Sequence, residues 1–190
     1  MHPRLFITAL RRFFIGASLR LSPGKGFSMQ TSSSQRVTAL TRAALIAALY
    51  AALTLLLAPI SYGEIQIRLS EALTILPVLL PEAVPALAIG CLLANLLGGC
   101  TVFDIAFGSL ATLLAALCTR ALRKNIWLAA AMPVLFNGVI VGAVVHYAYA
   151  PVIPLPRCML FVATGEAVAC FAVSPVVLRI VKRLPSRFLA

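Results

Sequence analysis

The sequence predicts an all-α membrane protein, a bundle of six transmembrane helices with both termini cytoplasmic. Three observations carry that expectation. The 190-residue chain is 62% hydrophobic and 11% charged, with a mean hydropathy of +1.02, too apolar to close around one core and stay dissolved in water. Five apolar runs, at residues 41–58, 84–99, 103–119, 126–148 and 158–181, approach the roughly 20 helical residues that cross a hydrocarbon layer about 30 Å thick. Sixteen Lys and Arg against five Asp and Glu give a net charge of +11. In a soluble protein that excess would suggest a nucleic-acid partner, but here the cations flank the apolar runs.

Their distribution is a topology signal. Arg4, Arg11, Arg12, Arg20, Lys25, Arg36 and Arg42 precede the first run, Arg120, Arg123 and Lys124 interrupt the middle, and Arg179, Lys182, Arg183 and Arg187 close the chain. Arg68 and Arg157 are the two that lie elsewhere. Loops rich in Lys and Arg stay on the cytoplasmic side, so these three groups share one side and no nucleic-acid-binding face is expected.

Along the chain, residues 1–36 form a basic leader in which Phe6, Ile7, Leu10, Phe13, Phe14 and Ala17 recur at helical spacing. Such a stretch suits an anionic inner leaflet or a transit peptide; alternatively, synthesis starts at Met29. Residues 37–183 form the membrane domain, and 184–190 a basic cytoplasmic tail. Helix 1 sets Ala44, Ala48 and Ala52 on one stripe and Ala43, Ala47 and Ala51 on the next, spacing that lets another helix approach closely, within the chain or from a separate subunit. Residues 67–80 are the doubtful span, with Arg68 and Glu71 at one end and Pro77 near the other. Parity decides for a crossing: cytoplasmic ends on one side require an even number of spans. Glu82 then lies in an inner turn and starts helix 3.

All five acids, Glu64, Glu71, Glu82, Asp104 and Glu166, lie in or beside apolar sequence. A charge at membrane depth is costly unless paired or facing a polar cavity, which makes each a functional candidate. Of Glu64, Gln66, Arg68, Asn95, Asp104, Asn137 and Glu166, most fall in the outer half of the bundle, with Asn137 near the middle of helix 5, and a ligand is expected there. Each has a plainer reading. Glu64, Arg68 and Glu71, spaced i, i+4, i+7, would stack as a structural ion-pair network on a helix; Glu64 and Gln66 also fit an extended lid. Asn95 and Asn137 suit hydrogen bonds between helices, and Asp104 suits a helix cap. Glu166, among small neighbours and with no cation adjacent in sequence, points most clearly to ligand or proton handling. His146, Tyr147, Tyr149 and Tyr50 read as interfacial or lining residues.

Cys91, Cys100, Cys118, Cys158 and Cys170 form no C-x-x-C pair and read as small apolar filler, so neither a disulfide framework nor a metal site is expected. No phosphate loop, H-E-x-x-H or G-x-S-x-G motif occurs. An enzyme is not expected, no cofactor is implied, and any pumping draws on outside energy.

Several stretches in register resemble the QueT family of queuosine-precursor transporters. They are Tyr62-Gly63-Glu64-Ile65-Gln66-Ile67-Arg68-Leu69-Ser70-Glu71 with Leu76-Pro77, the Ile89 to Gly99 stretch around Asn95, the Phe103-Asp104 start of helix 4, the Pro133 to Asn137 segment, and Gly165-Glu166. The likeness runs from about Val37 to Arg183. It implies a substrate-binding S component of an energy-coupling factor transporter, which captures a small molecule outside while a transmembrane T component and two cytoplasmic ATPases drive uptake. It further implies a 7-deazaguanine substrate, and that the Ala44, Ala48 and Ala52 stripe docks the T component. Two other readings compete: a self-sufficient carrier with Glu166 or Asp104 as proton relay, and a non-transporting scaffold.

Overall fold

A computed structural model describes residues 33–61 and 68–183. The leader up to residue 32, the Glu64 and Gln66 segment and the 184–190 tail lie outside the described residues. All regular structure among the described residues is helical: α1 (Ser33–Leu56), followed by the single turn Ala58–Ser61, α2 (Leu69–Val78), α3 (Ala83–Leu97), α4 (Asp104–Ala121), α5 (Ile126–Tyr149) and α6 (Leu155–Lys182).

The number and order of helices match the expectation, but only α1, α4, α5 and α6 are long and apolar enough by themselves to cross a membrane. The other two are shorter. α2 is wound as a 3-10 helix of 10 residues, about 20 Å at the rise of that winding, and the 15 residues of α3 reach about 22 Å. The proposed stack of Glu64, Arg68 and Glu71 on one helical face is also corrected. Arg68 is extended (φ −89°, ψ 94°) and the helix begins only after it.

α2 is the centre of the bundle. Ser70 through Pro77 are buried, and the helix packs against all five others. Its backbone carbonyls find side-chain donors on α6: Ser174 Oγ donates to the Ala72 carbonyl at 3.1 Å and Cys170 Sγ to that of Glu71 at 3.8 Å. Thr54 Oγ1 on α1 donates to Ser70 Oγ at 2.7 Å. Such bonds compensate the poorer internal geometry of a long 3-10 run.

Small residues set the helix crossings. A Cβ on Gly90 of α3 would lie 2.9 Å from the Ala47 carbonyl and 2.9 Å from Tyr50 Cβ, so α1 and α3 touch backbone to backbone. The two alanine stripes of α1 therefore separate. Ala47 and Ala51 are buried on this contact, while Ala44, Ala48 and Ala52 face outward beside the exposed Leu45 and Leu49. α5 and α6 meet just as closely, since a Cβ on Gly142 would fall 2.6 Å from Met159 Cα.

At the end carrying the flanking cations, Arg42 Nε of α1 pairs with Glu82 Oε1 at 2.8 Å, and Arg120 donates to the Pro77 carbonyl at 2.9 Å. The cation on Pro77 complements the C-terminal dipole of α2. Glu82 does stand immediately before α3 as expected, though its carboxylate serves Arg42 rather than the helix end. Asn125 caps α5, accepting from the backbone of Trp127 at 3.1 Å and Leu128 at 3.3 Å.

Candidate functional site

Two carboxylates converge in the middle of the bundle from opposite sides. Glu71 lies near the start of α2, where Tyr50 of α1 and Thr112 of α4 both donate to its Oε1, Thr112 at 3.2 Å. Glu166 sits eleven residues into α6, about 16 Å below that helix's start by the α-helical rise; Asn137 Nδ2 of α5 donates to its Oε1 at 3.2 Å. Asn137 stands close to the Glu71 carboxylate as well. Each carboxylate is thus fixed through one oxygen. The other, Oε2, is buried and has no hydrogen-bond partner among the described residues in either, and the same holds for Asn137 Oδ1 and Asn95 Oδ1. All four atoms are hydrogen-bond acceptors.

Arg68 completes the electrostatics. It is 2% exposed, donates to the Ser61 carbonyl at 3.4 Å, and lies within electrostatic reach of both Glu71 and Glu166. Two acids against one guanidinium leave this cluster one negative charge in excess when all three are ionised. Cys91, one turn from Asn95 on α3, accepts from Asn95 Nδ2 at 3.6 Å and borders Arg68, Glu71 and Thr112. Wide, π-type turns at Asn137–Val141 and Val168–Val173 adjoin two of the central residues, the kind of bulge that re-aims side chains inside a helix.

Of the sequence candidates, Arg68, Asn137 and Glu166 come together, with Asn95 adjoining through Cys91. Asp104 stands apart. Its carboxylate accepts from the Tyr149 hydroxyl and from Thr101 Oγ1 at 2.9 Å, its backbone N–H donates to Thr101 Oγ1 at 3.4 Å, and Asn95 Nδ2 donates to its carbonyl at 3.0 Å. This is a helix cap widened into a clasp over the ends of α3, α4 and α5. Tyr50, expected as an interfacial or lining residue, is wholly buried against Glu71. Thr112 carries no sequence signal that would have marked it. For Tyr50 a weak one existed, because Ala47, Tyr50, Ala51 and Thr54 form a single helical face and all are buried.

The family model for the QueT transporter matches residues 40–183. The chain belongs to the QueT transporter family. That match spans every element of the bundle from α1 to α6 and both central carboxylates, and it agrees with the apolar, multi-helix architecture of a membrane transporter. No curated protein and no solved structure matches the chain significantly.

Proposed function

We propose that this QueT chain is the membrane-embedded substrate-binding component of an energy-coupling factor importer. It captures a 7-deazaguanine queuosine precursor at the outer face of the cytoplasmic membrane, for uptake driven by a T component and two ATPases. The observation that carries the reading is the set of four buried acceptor oxygens, on Glu71, Asn95, Asn137 and Glu166, that have no hydrogen-bond partner among the described residues. A guanine-like edge offers adjacent N–H donors to a carboxylate and a carbonyl to a donor such as Arg68. With both carboxylates ionised, the excess negative charge would favour a precursor bearing an aminomethyl cation over a neutral one. Glu64 and Gln66, expected from the sequence to contact the ligand, lie outside the described residues, while Asp104 holds the clasp beside the site.

Six crossings with both termini inside remain the topology that fits best. The α2–α3 turn is tied to Arg42 and Arg120, which flank α1 and α4 at the basic end, so the two short helices reach that end and return. The exposed Ala44, Ala48 and Ala52 face is the surface for the T component, since its small side chains admit a helix from another subunit.

Equilibrium dialysis of the purified full chain against 7-aminomethyl-7-deazaguanine, 7-cyano-7-deazaguanine and guanine tests the reading. Saturable binding with the aminomethyl compound preferred supports it. Absence of binding to all three refutes it, and uptake into vesicles containing this chain alone would replace the importer subunit by a self-sufficient carrier.

A further inference from the structure

A second set of charged groups has no role in the central cluster. Arg123 and Lys124, in the turn before α5, and Arg179, Lys182 and Arg183, at the end of α6, are all exposed. The fold brings the two groups together, because Leu178 packs among Ala129 and Ala130 with Leu122 and Ile126 against it. No described carboxylate serves them. Glu71, Asp104 and Glu166 are buried within the bundle, and Glu82 is paired with Arg42.

Directly above these cations, toward the other end of the bundle, an apolar groove of about 470 Å³ runs between α5 and α6. It is bounded by Ala131, Leu135 and Gly138 on one side and Met159, Ala163 and Phe171 on the other. Its lower end carries an aromatic pair, Trp127 and Phe171, with ring centroids 6.3 Å apart and Trp127 63% exposed. A hydrocarbon trough, an aromatic pair at its mouth and five uncompensated cations below that mouth match a phospholipid in each of its parts.

The geometry points to a binding site for an anionic phospholipid on the α5–α6 face, with the headgroup phosphate between Lys124 and Arg179 and an acyl chain in the groove. The partner is a lipid rather than a protein because Lys124, just before α5, and Arg179, on α6, stand about two helical turns beyond the groove that those two helices form, and an amphiphile with a negative head suits both parts. The site lies on α5 and α6, whereas the alanine stripe is on α1, so lipid and partner subunit do not compete. This inference rests on the chain's being a membrane protein and is independent of which substrate the centre binds.

Trp127 is the only tryptophan of the chain, which makes it a built-in reporter. The full chain is reconstituted in vesicles of phosphatidylcholine and phosphatidylglycerol with one or the other lipid brominated, and quenching of Trp127 fluorescence is measured. Each basic group near the surface attracts an anionic lipid by about 1 kcal/mol, about fivefold, so brominated phosphatidylglycerol should quench as though enriched about five- to twentyfold over phosphatidylcholine. The double variant Lys124→Gln/Arg179→Gln should bring that preference to within twofold of unity, and Arg157→Gln at the opposite end should leave it unchanged. Equal quenching by the two lipids in the unaltered chain overturns the proposal. So does an undiminished preference in the double variant, whether or not that variant loses its ATPase subunits, since the cations would then be serving a protein or only a diffuse field.

Discussion

Replacing Glu166 by Gln tests the central cluster with the least disturbance of the fold. The two side chains have the same shape. The Gln carbonyl can still accept the 3.2 Å bond from Asn137 Nδ2, so the anchoring of the side chain survives. What changes is the bare position: Oε2, an acceptor with no hydrogen-bond partner among the described residues, becomes an NH2 donor, and one negative charge is lost. A ligand N–H that met a carboxylate oxygen now meets another donor. A hydrogen bond to a charged group contributes about 1.5–3 kcal/mol, which translates to binding weaker by about 10- to 150-fold. The unliganded protein should be no less stable, because the substitution removes a buried charge whose burial was costly. The assay is equilibrium dialysis of both proteins against 7-aminomethyl-7-deazaguanine, with a melting curve of each without ligand. Affinity within twofold of the parent, with an unchanged melting temperature, would refute the assignment of Glu166 to the ligand and with it the argument from bare oxygens.

Tyr50→Phe removes the hydroxyl that donates to Glu71 Oε1 and should destabilise the protein by about 1–3 kcal/mol, seen as a lower melting temperature in detergent; an unchanged melt would show that Glu71 needs no anchor. Gly90→Ala would set a methyl 2.9 Å from the Ala47 carbonyl and should cost about 1–3 kcal/mol by forcing α1 and α3 apart, read in the same melt. Ala48→Trp adds bulk to an exposed position of α1; ligand affinity should be retained while co-purification with the T component and uptake are lost, and intact assembly would remove the stripe from the docking surface. Arg120→Met deletes the 2.9 Å bond to the Pro77 carbonyl and should cost about 1.5–3 kcal/mol, with hydrogen exchange rising at the α2–α3 turn before it rises elsewhere.

Much of the architecture was legible because it follows from solvent preference. Apolar runs of near-spanning length, with cations at their edges, mark five of the six helices, and four of those five are long and apolar enough to cross a membrane. The acids stood out for the same reason, since a carboxylate in oily surroundings has to be explained. The length of α2 and α3 was less legible. Hydropathy cannot distinguish a helix that meets lipid from one wrapped by five neighbours, and α2, buried from Ser70 to Pro77, is the wrapped kind. Its 3-10 winding is held by donors from α6, a hundred residues away in sequence.

By itself the sequence determined that the chain is an apolar helical bundle with polar groups inside it, because local periodicity and transfer energies act residue by residue. It also placed both alanine stripes on α1, but spacing is symmetric between them. Only the approach of Gly90 decided that Ala47 and Ala51 turn inward and Ala44, Ala48 and Ala52 outward. In the same way, Glu71 and Glu166 were each visible as buried acids. Tertiary structure alone decided that they face one another around Asn137 and Arg68, each with a spare oxygen, and that Asp104 closes on Tyr149 instead. The physical reason is that hydrogen-bond partners 21 to 45 residues apart are brought within reach by how helices cross, and crossing geometry is a property of the packed bundle rather than of any one helix.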